Sequence, residues 1–105
     1  MTKARLIICE QTPRWAVLLR RFGEGLAIGE ARSLALVDDM LRSQPASCLA
    51  AAVTETSAAT VLLKLAQWRR DYPATTTAIL LDEPSPELEL GFREAGAQLV
   101  VDSLF

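Results

Sequence analysis

The sequence predicts one α/β domain spanning residues 1–105, built on a five-stranded parallel sheet with helices on both faces. Three observations predict it. Short, continuous apolar runs, which suit strands buried on both faces, alternate with stretches of helical period. Every interval between two runs is long enough for a helix, so successive strands run parallel through right-handed crossovers. The 105 residues are half apolar and 23% charged, which makes one domain with a core of its own and excludes disorder.

The first strand is Leu6–Cys9. Thr12-Pro13 then reads as an N-cap and a Pro at the first helical position, opening a helix with Trp15, Leu18, Leu19 and Phe22 inward and Arg14, Arg20 and Arg21 outward. That helix stops at Gly23, and Leu26–Ile28 forms the second strand. From Ser33 to Arg42, Leu34, Val37 and Leu41 share a helix face, Asp38 and Asp39 point to water, and Ser43-Gln44-Pro45 ends the helix. The run Cys48–Val53 is the third strand. From Ser57 to Asp71, Ala58, Val61, Leu65 and Trp68 make one stripe, with Lys64, Gln67 and Arg70 opposite. Tyr72-Pro73 breaks this helix, and Thr75-Thr76-Thr77 leads into a strand at Ala78–Leu81. Ser85-Pro86-Glu87 supplies a cap, a Pro and an acid for a fourth helix ending near Ala95-Gly96, and Leu99–Val101 is the last strand.

Composition removes several kinds of chemistry. There is no histidine, so His-based nucleophile activation and metal ligation are excluded. Two cysteines, Cys9 and Cys48, are too few for a secreted disulfide framework and sit inside apolar runs as small hydrophobes. No apolar run approaches the roughly 20 residues of a membrane span. The start Met1-Thr2-Lys3-Ala4-Arg5 does not read as a signal peptide, so the expected setting is cytoplasmic, away from membranes.

Several segments together resemble the response-regulator receiver, the CheY-like domain of two-component signalling, over nearly the whole chain. Ala4-Arg5-Leu6-Ile7-Ile8-Cys9-Glu10-Gln11-Thr12-Pro13 is similar to that family's first strand, acidic pair and Pro-started helix. Glu30-Ala31, the following helix and Pro45 resemble its second strand, second helix and the approach to its third strand. Glu94-Ala95-Gly96-Ala97 resembles the turn before its fifth strand. The resemblance implies a flavodoxin-like α/β/α sandwich with sheet order 2-1-3-4-5. This chain is one helix short of it, which leaves apolar surface on strands four and five, including Leu99, Val101, Leu104 and Phe105.

The same resemblance implies a degenerate phosphorylation pocket. The family holds Mg²⁺ on an acidic pair, phosphorylates an Asp after strand three, and completes the site with a hydroxyl residue and a Lys. Here Glu10 keeps one acid and Gln11 replaces the other. Ala51, within the run Ala50 to Ala52, takes the nucleophile's place, Asp82 the hydroxyl's and Ser103 the lysine's. Glu55 is the nearby carboxylate available as a substitute phosphoacceptor, and Glu10 and Glu55, with Asp82, are the weak candidates for a cation. No cofactor is implied.

Cys9 at a strand end invites comparison with phosphate-handling cysteine enzymes and phosphocarriers. The following Glu-Gln-Thr-Pro brings negative charge and a Pro without an N–H, against the needs of such a loop. Gly23, Gly25 and Gly29 precede a strand instead of following one, unlike a nucleotide-binding fingerprint. Trp15 and Trp68 sit on apolar helix faces and read as core. Charge is unevenly placed: residues 1–70 carry ten basic and six acidic side chains, residues 71–105 one basic and seven acidic. Dispersed basic residues and a net charge of −2 disfavour nucleic acid. The reading that follows is a non-enzymatic, phosphorylation-independent interaction module. Its expected surface is the helix four and strand five edge, through Glu87, Glu89, Arg93, Leu99, Val101 and Phe105, and its expected partner is another protein or a second copy in a homodimer.

Overall fold

The computed structural model describes residues 4–22, 25–44 and 46–102. In chain order the elements are β1 (Ala4–Cys9), α1 (Trp15–Phe22), β2 (Leu26–Ala31), α2 (Leu34–Ser43), β3 (Cys48–Val53), α3 (Ala58–Asp71), β4 (Thr76–Leu81), α4 (Pro86–Glu94) and β5 (Leu99–Val101). The strands form one sheet of order β2-β1-β3-β4-β5, and each neighbouring pair is parallel. The expected alternation, order and parallel sense are all present.

Two cores follow from the two-residue period of the strands. On one face Ile7, Leu49, Ala51, Val53, Ile79 and Leu81 meet the inner stripes of α2, α3 and α4, among them Val37, Leu41, Val61, Leu65, Trp68 and Phe92. On the other face Leu6, Ile8, Ala50, Ala78 and Leu80 cluster with Trp15 and Ala16 of α1. The four helices of the described residues thus divide three to one between the faces. Trp15 and Trp68 both belong to the core, at 3% and 2% exposure.

Four details depart from the sequence expectations. Helix α1 begins at Trp15, three residues after the expected cap at Thr12, because residues 11–14 form bends. Strand β2 continues to Ala31, so Gly29 lies inside the sheet, where a β-carbon would come within 2.7 Å of the Met40 side chain. Asp38 does not turn to water: it is ion-paired with Lys64 and accepts a 2.9 Å hydrogen bond from the Trp68 indole, tying α2 to α3. Burial tends to raise the Asp38 carboxyl pKa, but the hydrogen bonds from Lys64 and Trp68 prevail and hold it below its ordinary value. Finally, exposure on the α1 face is narrower than expected. Ala78 and Leu80 of β4 are each only 5% exposed, while Leu99 of β5 is 50% exposed and Val101 is partly buried. Leu80 and Ala78 are closed into the Trp15 cluster, whereas Leu99 lies on the edge strand. Gly23, Pro45, Leu104 and Phe105 lie outside the described residues.

The two sheet edges differ. The Ala31 carbonyl accepts from the Glu10 N–H, so Ala31 faces β1, and strand alternation turns Ile28 to the open side. Arg20 of α1 folds over that side, donating to the Ile28 carbonyl at 3.4 Å and to Glu30 at 2.7 Å. At the other margin Gln98 brackets the start of β4, donating its N–H to the Thr77 carbonyl and accepting the Thr77 N–H on its side-chain oxygen.

Two glycines of the α4 region are predicted to respond to alanine in opposite senses. Gly91 lies within α4 with open space at its β-carbon position, whereas Gly96 has φ of +109° and an added β-carbon would come within 2.5 Å of the Arg69 side chain. Gly91→Ala is expected to raise stability by about 0.5–1 kcal/mol, and Gly96→Ala to lower it by at least about 1 kcal/mol, both read from urea unfolding midpoints.

Candidate functional site

The strands end together, and their loops enclose an open cleft of about 790 Å³. It sits where β1 and β3 lie side by side while their following helices, α1 and α3, pass to opposite faces. Open α/β sheets place ligands at such a switch point.

Glu10 leaves β1 at the floor of this cleft and is 5% exposed. Its carboxylate accepts the backbone N–H groups of Arg14, Trp15 and Ala16 at 3.1, 3.0 and 2.9 Å. Those are otherwise unpaired donors at the start of α1. The residue therefore does the capping expected of Thr12, and Pro13, which has no N–H, needs no partner there. Gln11 is exposed beside it.

The sheet register decides which alanine faces the cleft. Cys9 pairs with Ala51 across β1 and β3, so the next residue of each chain, Glu10 and Ala52, come abreast. Ala52 lines the cleft, whereas Ala51 is 1% exposed in the core under α2 and α3. Within the run Ala50 to Ala52 it is thus the Ala52 side chain that meets the cleft, because neighbouring strand residues point to opposite faces.

Asp82, just after β4, reaches across to Arg14 at 3.1 Å, with both side chains 49% exposed. Arg32, just after β2, donates to the Glu10 carbonyl at 3.3 Å and to Glu30 at 2.8 Å. Glu30 also receives Arg20, and the hydrogen bonds from Arg32 and Arg20 hold its carboxyl below the ordinary range. The β3–α3 loop adds hydroxyls: Thr54 and Thr56 are hydrogen-bonded at 2.9 Å, and Ser57 accepts the Thr54 N–H at 3.0 Å. Glu55 is exposed and lines a smaller neighbouring hollow with Glu83.

The carboxylates considered for a cation do not gather. Among the described residues no group of three His, Cys, Asp or Glu side chains is placed to hold a metal. Glu10 is turned into α1, Asp82 is held by Arg14, and Glu55 belongs to the adjoining hollow. Cys9 is buried, and burial, with the charge of Glu10, pushes its thiol above the ordinary value, against a smaller opposing effect of Arg32. Such a thiol is a poor nucleophile near neutral pH. Ser103 lies outside the described residues.

At the other candidate surface, Glu87 and Arg93 are exposed on α4, and Arg93 pairs with Glu89 at 3.0 Å. Leu99 and Val101, opposite Ala78 and Leu80, lie on the α1 face of β5, so these residues span both sides of the sheet's β5 edge. Sequence reasoning missed the Arg14–Asp82 pair, whose residues are brought together only by the fold, and the Arg32–Glu30 pair at the end of β2.

Solved structures share this architecture. A response regulator from Thermotoga maritima superposes with a TM-score of 0.89 at 16% identity, covering 98% of this chain and 87% of its own. The chain has a receiver fold. An orphan response regulator of H. pylori matches the same receiver fold at 0.83 and 12% identity, covering 99% of this chain and 86% of its own. A response regulator from Burkholderia pseudomallei, solved with a phosphorylated aspartic acid and a calcium ion, matches at 0.81 and 13% identity over 98% of this chain and 61% of its own. No protein-family model matches the sequence, and no curated protein matches it.

Glu10→Ala is expected to lower stability by about 2 kcal/mol, since it removes a buried charged acceptor from three helix N–H groups. Hydrogen exchange checks the cause: protection should fall first at Arg14, Trp15 and Ala16.

Proposed function

We propose that this receiver-fold domain is a protein-interaction module of a signalling or regulatory system that works without phosphotransfer and catalyses no reaction. The observation that carries the reading is the cleft itself. A receiver phosphorylates a carboxylate there with the help of a cation; here the run Ala50 to Ala52 takes that place whichever alanine corresponds, Glu10 is committed to α1, and Asp82 is paired with Arg14. Phosphoryl transfer to Asp needs a carboxylate nucleophile, and an alanine supplies none.

Function then rests on binding. The α4 and β5 margin carries Glu87, Glu89 and Arg93 beside the half-exposed Leu99 and partly buried Val101, with Phe105 assigned to the same surface from the sequence. An edge with acids on its α4 side and apolar residues on its α1 side suits a basic protein surface or a second copy of the chain, and it does not suit nucleic acid. A cytoplasmic setting is part of this proposal.

Incubation with acetyl phosphate and Mg²⁺, followed by intact-mass measurement, is expected to leave the chain without a phosphoryl adduct. A stable adduct, on Glu55 or elsewhere, would overturn the reading. In sedimentation equilibrium the average mass is expected to rise with concentration, and Leu99→Asp to abolish that rise. A monomer at every concentration would turn the surface toward a partner other than a second copy.

A further inference from the structure

We propose that the cleft at the strand ends binds a small organic oxyanion directly through Arg14 and Arg32, with no divalent cation. This deepens the reading above, on which it rests in requiring a cleft without a phosphorylated carboxylate.

Two guanidiniums border the cleft, Arg14 from the segment before α1 and Arg32 from the segment after β2. Their side chains are 49% and 44% exposed, so both are accessible to a ligand. Each is engaged in an exposed ion pair, Arg14 with Asp82 and Arg32 with Glu30. Such pairs are worth only about 0–1 kcal/mol. A bidentate bond from a guanidinium to an oxyanion is stronger and more directional. Glu30 also keeps Arg20 at 2.7 Å if Arg32 turns toward a ligand. Glu10 competes little, because its two oxygens already accept three backbone N–H groups. Asp82 is the carboxylate that contests Arg14.

Further donors border the same space. Thr54, Thr56 and Ser57 present hydroxyls on the β3–α3 side. Trp15 also lines the cleft, is 3% exposed, and its indole N–H has no acceptor among the described residues. The volume of about 790 Å³ exceeds the needs of a bare inorganic anion and falls in the range of small-molecule sites. Leu34, Ala52 and Val61 give it apolar wall for an organic body. The polarity of the site is thus inverted relative to a cation-dependent receiver: the exposed groups at its rim include two guanidiniums, and Glu10 is committed to α1.

Calorimetric titration of the whole chain in EDTA, with inorganic phosphate and with phenyl phosphate, tests this. Both are expected to bind, phenyl phosphate about tenfold tighter through its buried ring. Arg14→Gln and Arg32→Gln should each weaken binding by about tenfold or more. Asp82→Asn should tighten it by removing the negative charge that competes for Arg14, an effect of opposite sign that a general loss of structure cannot produce. Binding by neither probe, binding only with Mg²⁺ present, or binding untouched in both arginine variants would overturn the proposal. Phenyl phosphate no tighter than phosphate would overturn the organic body. Intact mass of the titrated sample separates the two readings: a covalent adduct defeats the phosphotransfer-free function, whereas unchanged mass without binding defeats this inference alone.

Discussion

Three hydrogen bonds to one buried carboxylate organise the working end of this domain. Glu10 ends β1 and, through its two oxygens, starts α1. A helix of eight residues has little stability of its own, so its placement depends on packing and on satisfied end groups. By anchoring the first turn, Glu10 fixes where Trp15 and Ala16 enter the core of their face. The same commitment removes the residue from the cleft's chemistry. Structure and reactivity compete here for one side chain, and structure has it.

Around that anchor, charge is arranged in short local pairs that join separate elements. Arg14 and Asp82 connect the approach to α1 with the β4–α4 loop, Lys64 and Asp38 connect α3 with α2, and Arg20 and Arg32 share Glu30 along β2. Exposed pairs add little to stability singly. Two of the pairs, Arg14–Asp82 and Lys64–Asp38, join segments distant in the chain. The Arg14–Asp82 pair links the rim of the cleft to the loop that leads into α4.

The fold was legible because its signals are periodic and redundant. The stripe Ala58, Val61, Leu65 and Trp68 was readable at helical spacing and is buried throughout, and the Ser85-Pro86-Glu87 start of α4 appears as read, with Ser85 accepting the Leu88 N–H. What was not legible depended on contacts between distant residues. Thr12-Pro13 carries a good local signal for a helix start, yet a carboxylate from the preceding strand takes the role. Asp38 looked solvent-facing in its own helix because the Trp68 indole and Lys64 that claim it lie on another. Which alanine of the run faces the cleft depends on one residue of register, which an unbroken run of alanines cannot reveal by itself.

Arg20 has a consequence beyond its ion pair. By donating to the Ile28 carbonyl it takes up one backbone acceptor on the outer side of β2, one of the two margins along which the sheet can be extended, the other being β5. A sheet open on both sides can add neighbours indefinitely, head to tail, and grow into fibres. Under the proposed self-association, a joint that uses the β5 margin of both molecules sets β5 against β5. That geometry is self-complementary and two-fold, and it closes at two molecules.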